Sequence, residues 1–255
     1  MRTILDNPVI VFAVSLVTLL LFEWLTSSRF VKLRAHLEQV REDFRLIQGA
    51  TLTLLALIIG FTFSMAAERY SQRKNYEEAE ANAIGTEYVR ADLLPPADAE
   101  KVRKLLLSYM EQRILFYTTH DVQKTGQINA ETMRLQSALW SAVVGPSLAN
   151  PTQVMALVTA GMNDVLNSQG YTQAAWLNRI PEAAWVFMFA IAICSVMLVG
   201  IGGTGGKGNA YIVPILPIVV SIAFFLIADI DSPLRGVIRV TPQNLLILAE
   251  SLRTP

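Results

Sequence analysis

The fold class predicted here is an all-α integral membrane protein with four transmembrane helices, the second continuing into a soluble helical domain. Three observations predict it. Of the 255 residues 53% are hydrophobic and 16% charged, more apolar side chain than a water-soluble domain carries. Four apolar runs, residues 8 to 26, 46 to 67, 182 to 201 and 209 to 228, each hold about the 20 residues that cross a hydrocarbon core. Between the second and third runs lie over a hundred residues of ordinary polarity whose apolar positions recur at helical spacing, with no run of period two. The chain therefore divides into 1–67 (transmembrane helices 1 and 2), 68–180 (soluble helical domain), 181–228 (transmembrane helices 3 and 4) and 229–255 (C-terminal segment).

The first span opens at Pro8, where a missing N–H costs nothing, and closes near Trp24, an interface residue, with Glu23 at its edge keeping its charge out of hydrocarbon. Met1-Arg2-Thr3 precedes it with no small-residue cleavage pattern, so it reads as a retained helix. Trp185 is expected to mark the interface for the third span, and Pro214 and Pro217 to kink the fourth. The second span runs on: from Gln48 to Leu94 there is no proline, and Pro95-Pro96 ends the helix. At ~1.5 Å per residue it measures roughly 70 Å, about twice the bilayer core.

In the soluble part, residues 98 to 120 form an amphipathic helix with Val102, Leu105, Leu106, Tyr109, Met110, Ile114 and Tyr117 on neighbouring turns. Helices over about 129 to 145 and 151 to 168 follow, the latter started by Asn150-Pro151 as cap and first helical residue.

Several functions are set aside by what the residues lack. With 21 basic and 21 acidic residues the net charge is zero, which gives nucleic acid no electrostatic footprint. Cys194 is the only cysteine and lies in an apolar run, so it reads as a packing residue. Gly202-Gly203-Thr204-Gly205-Gly206-Lys207-Gly208 imitates a phosphate loop, but Ile201 holds the first glycine position and Gly208 the hydroxyl position, which leaves a turn between spans three and four. His36 and His120 stand apart from each other and from Cys194, and no cofactor is implied by these residues. The chain reads as a non-enzyme.

The most informative pattern lies on the long helix. Steps of three or four from Gly49 give Thr53, Leu57, Gly60, Ser64, Ala67, Ser71, Asn75, Glu78, Asn82 and Gly85 or Thr86, one small and polar face held for ten turns. Such a face suits either close packing between helices or a wetted channel wall, and the spacing leaves both open.

The segment Gly60-Phe61-Thr62-Phe63-Ser64-Met65-Ala66-Ala67-Glu68-Arg69-Tyr70, with Arg73 and then Glu80 to Pro95, resembles the bacterial bestrophin-like family. Ala228-Asp229-Ile230-Asp231-Ser232-Pro233, followed by Arg235 to Val240, resembles that family's C-terminal signature. The resemblance implies a homo-oligomeric, pentameric ion channel for small inorganic ions in the bilayer of the bacterial inner membrane, with a pore lined by the second helix. By that likeness Thr53, Leu57 and Phe61 are the neck rings, Thr53 standing where an apolar residue is usual. Gly60, Ser64, Glu68, Ser71, Asn75, Glu78 and Asn82 line the rest. It also implies calcium near Asp229 and Asp231, because animal bestrophins bind it at an acidic cluster there; read alone, the two carboxylates favour pairing with Arg235 or Arg239.

Two functions from different classes are thus expected: the channel, or a membrane-anchored scaffold or sensor that binds a partner through its soluble helices and uses the stripe for packing. Ion choice turns on which face meets the pore, since Glu68 and Glu78 favour cations while Arg69 and Arg73 favour anions. Orientation is open as well. Arg29, Lys32, Arg34, Arg41 and Arg45 place the first loop in the cytoplasm, whereas the family layout places the large domain there.

Overall fold

The structure is a computed structural model, and it describes residues 5–29, 41–202 and 213–253. The N-terminal tripeptide, most of the basic first loop with His36, and the glycine-rich turn lie outside the described residues. Every regular element among the described residues is helical: α1 (Pro8–Arg29), α2 (Arg41–Arg90), a 3-10 turn (Ala91–Leu93), α3 (Pro96–Thr118), α4 (Val122–Ala149), α5 (Gln153–Leu177), α6 (Glu182–Gly202), α7 (Ile215–Asp231) and α8 (Gln243–Ser251). They fall into two compact units. The first comprises residues up to Glu68 with Arg179–Ile238, and the second Arg69–Asn178 with Arg239–Pro255.

Among the described residues three stretches are long and apolar enough to cross a membrane, within Pro8–Ser28, Arg41–Leu93 and Gln153–Gly202. Helix α7 is equally apolar but has 17 described residues, about 25 Å of helix. Asn7 starts α1, its Oδ1 accepting from Val9 N (3.1 Å) and Ile10 N (3.4 Å), so Pro8 sits at the first helical position as expected. Buried hydroxyls in lipid need partners: Thr26 donates to the carbonyls of Phe22 (2.8 Å) and Glu23 (2.9 Å). Helix α6 passes so closely that a Cβ on Gly200 would lie 2.3 Å from Thr26 Oγ1. Glu23 itself is buried, 8% exposed, while Trp24 points outward.

Two expectations for this unit are corrected. Trp185 is no interface anchor; it is 1% exposed and packs edge-on to Phe224 at 6.2 Å, beside Phe189. The prolines do not interrupt a helix either. Pro214 is the N-cap of α7 and Pro217 lies in its first turn, where no carbonyl awaits an N–H.

The second unit is a bundle around one apolar core. Ala81, Ile84 and Ala91 from the α2 side meet Val102, Leu106, Tyr109 and Met110 of α3, Leu135 and Leu139 of α4, Val158, Met162 and Val165 of α5, and Leu245 and Ala249 of α8. Helix α2 ends where expected: Leu94 is extended (φ −83°, ψ 159°) before Pro95.

The next two helices depart from their expected bounds: α4 starts earlier and ends later, while α5 starts slightly later and runs on to Leu177. Asp121 accepts from Gln123 N and Lys124 N, starting α4 at Val122. Pro146 then falls in its last turns, and the helix runs on to Ala149 with Asn150 N donating to Pro146 O at 3.0 Å. Thr152, rather than Asn150, caps α5, its hydroxyl accepting from Met155 N at 3.2 Å.

Candidate functional site

Helix α2 has two faces of opposite character. Leu55, Thr62, Ala66, Arg73, Glu77, Glu80, Ala81, Ile84 and Glu87 are all buried, at 4% exposure or less, and they recur at helical spacing. The stripe lies on the other side: Gly49, Thr53, Leu57, Gly60, Ser64, Ser71, Asn75, Glu78, Asn82 and Thr86 are exposed, as are Phe61 and Glu68. Leu57 and Phe61 are apolar yet 51% and 63% exposed. A Cβ placed on Gly49 or Gly60 would meet nothing within 4 Å, so neither glycine is needed for close packing within the chain. The stripe closes at its far end, where a Cβ on Gly85 would come 3.0 Å from Leu248 of α8.

The hydroxyl of Thr53 donates to Gly49 O at 2.9 Å. The helix thus consumes its polar atom, and what remains toward solvent is chiefly the methyl group.

Asp229 and Asp231 work as a clamp on the chain that follows α7. Asp229 Oδ1 accepts from Val237 N (2.7 Å) and Oδ2 from Ile238 N (2.8 Å). A Cβ on Gly236 would strike Asp229 O at 2.2 Å, which fixes glycine at that turn. Asp231 pairs with Arg179 (Nε to Oδ2, 2.9 Å) and accepts from Ile180 N; Arg179 also reaches Asp6 at 3.0 Å. The expected pairing with Arg235 or Arg239 is replaced by one across 52 residues, and Arg239 lies against His120 instead. These carboxylates do not fit a calcium site, whose oxygens must be turned toward one point; theirs are turned toward N–H donors. No three His, Cys, Asp or Glu side chains among the described residues gather as metal ligands.

A buried ionic network in the second unit was not legible as such. Glu80 and Arg113 pair at 2.5 Å with both side chains 0% exposed. Tyr117 (3.2 Å) and Thr172 (3.3 Å) donate to Glu80 Oε2, and the Arg113 guanidinium lies over the Phe116 ring, 4.4 Å from its centre. Burial first, then the Glu80 charge, pushes the Tyr109 and Tyr117 hydroxyls above their ordinary range. One turn from Glu80, Glu77 holds α8 by accepting from Asn244 Nδ2 (2.6 Å) and Leu245 N (3.0 Å).

Glu87 differs from both. It is fully buried, neither carboxylate oxygen has a hydrogen-bond partner, and it fills the notch left by Gly161, where a Cβ would be 2.0 Å from Oε2. Burial, opposed by Arg90 and reinforced by Asp164, pushes its pKa up to about 8.

Comparison with known proteins bears on the whole chain. The family model described as the Bestrophin-like domain matches residues 21–245. No curated protein matches. Among solved structures, a bacterial bestrophin homologue from Klebsiella pneumoniae, phased with zinc, superposes with a TM-score of 0.59 at 16% identity, over 91% of this chain and 97% of that one. Two single-site variants described in the same words give TM-scores of 0.60 and 0.63 at 16% and 13% identity, covering 91% and 96% of this chain and 98% and 97% of theirs.

Proposed function

Since this chain belongs to the bestrophin-like family, we propose that it is a homo-oligomeric ion channel of the bacterial inner membrane, pentameric, with four membrane crossings and a pore lined by α2. One observation carries the reading: the small and polar stripe of α2 faces away from the protomer's own packing, and Gly49 and Gly60 have nothing near the space a Cβ would fill. A face kept low in bulk for many turns, and not used within the protomer, suits a surface that symmetry mates place around an axis.

In this reading Phe61, Leu57 and Thr53 stack as three rings one turn apart. Apolar rings of this kind resist wetting, so a narrow passage there is closed to hydrated ions until it widens. Below them Ser64, Ser71, Asn75 and Asn82 offer exposed hydroxyls and amides that replace part of an ion's hydration.

The test is reconstitution of purified oligomer in planar bilayers. Current is expected, and Phe61→Ala, which removes the largest ring, is expected to raise the open fraction. A folded oligomer that passes no current, with or without that substitution, would leave only the role of a membrane-anchored scaffold.

A further inference from the structure

We infer that the turn after α7 is an anchor in the bilayer surface, with Val237 and Ile238 among the upper acyl chains and Arg235 on lipid phosphate. The inference rests on the reading of α7 as a membrane crossing and adds a contact with phospholipid made by a segment that is not helical.

The chain reverses at once where α7 ends. Ser232 caps the helix, its hydroxyl donating to Asp6 O at 3.0 Å and accepting from Arg235 N at 3.4 Å. Gly236 then packs on Asp229 O, so closely that a Cβ there would lie 2.2 Å away. The Asp229 carboxylate accepts from Val237 N and Ile238 N at 2.7 and 2.8 Å. Residues 236 to 238 are thus held beside the last turn of α7 and not beyond it. The 17 residues of α7 make about 25 Å of helix against a hydrocarbon core of about 30 Å, which places that last turn at the boundary between acyl chains and headgroups.

The groups on the turn suit that depth. Val237 is 81% exposed and Ile238 40%, although the backbone that carries them is pinned. In water this display of branched apolar side chains gains nothing, whereas at the boundary it removes apolar area from water. Backbone N–H groups at such a depth find little water and need an acceptor within the protein, and the Asp229 carboxylate supplies one through two short bonds. Arg235, exposed on the same turn, carries its outward charge, since Asp229 and Asp231 are turned toward N–H donors and Arg179. A guanidinium at this level reaches the phosphates along its own apolar stem.

The experiment reads depth with a nitroxide on the full chain in vesicles of equal parts phosphatidylcholine and phosphatidylglycerol, after Cys194→Ala removes the native thiol. Labels at Val237→Cys and Ile238→Cys are compared with Lys124→Cys, an exposed charged position on α4, and with Val219→Cys within α7, 56% exposed. Collisions are measured with oxygen, which concentrates in hydrocarbon, and with a nickel chelate, which stays in water. The oxygen-to-nickel ratio at 237 and 238 is expected to be several-fold above that at 124. A ratio at the turn no higher than at 124, or shielding from both reagents by covering protein, overturns the inference, while a high ratio at 219 keeps α7 in the bilayer. A ratio at 219 as low as at 124 removes the crossing, and the inference with it. Two labels in the turn preserve the reading if one variant fails to fold.

Discussion

Raising the pH through the neutral range is expected to weaken the second unit through Glu87. Its carboxyl, fully buried with neither oxygen hydrogen-bonded, is pushed from an ordinary 4.5 to about 8. Below pH 4.5 the group is protonated whether the chain is folded or not and contributes nothing. Between 4.5 and 8 the unfolded chain releases the proton while the folded one retains it, so the folded state binds more protons and stability falls as pH rises. Above about 8 both forms are ionised and the loss is complete. At ~1.36 kcal/mol per pH unit the full effect is about 5 kcal/mol, an upper bound because the bundle can open to admit water. Thermal unfolding of purified protein in detergent, followed by circular dichroism from pH 5 to 9, should show wild type losing stability steeply and Glu87→Gln changing little by comparison. Parallel curves for the two proteins would refute the reasoning, since the neutral amide removes the titration and keeps the shape.

Glu80→Ala should cost about 3–5 kcal/mol of stability, because it strands the buried Arg113 guanidinium, and Glu80→Met with Arg113→Met should recover much of that in the same melt. Gly200→Ala should lower the melting temperature of the membrane unit by the equivalent of about 1–3 kcal/mol, since the new methyl falls 2.3 Å from Thr26 Oγ1; adding Thr26→Ala should restore part of it. Stripping calcium with a chelator should leave the melting temperature unmoved, as the Asp229 and Asp231 oxygens face N–H donors; a rise on adding calcium back would show that they turn to a metal.

Much of the membrane part was readable because hydrocarbon is a severe solvent. It demands long apolar runs, and it made Pro8, Trp24 and the proline-free stretch from Gln48 to Leu94 plain. The stripe was readable too, although its direction was not: periodicity shows that one face is small, and only packing shows which side is left uncovered. The buried charges hid behind composition. Glu77-Glu78-Ala79-Glu80-Ala81 looks like solvated helix, yet Glu77 and Glu80 share a phase with Ile84 and Ala91 while Glu78 does not, and that phase was the available signal. Sequence proximity favours Arg235 or Arg239 for Asp231, whereas its partner Arg179 lies 52 residues earlier in the chain. Asp121 caps α4 and Thr152 caps α5, single side chains whose capping the apolar periodicity does not show, and Gly145-Pro146 falls inside the last turns of α4 rather than ending it.

The second unit takes α8 from a segment separated from its other helices by Arg179–Ile238, so its core is completed only after that intervening stretch has been made. Until residues 243 to 251 leave the ribosome, the places of Leu245 and Ala249 in the core stay open and Glu77 lacks two of its donors. A chain cut before α8 should therefore keep the second unit's core open at the places of Leu245 and Ala249 and leave Glu77 without Asn244 and Leu245 N as donors.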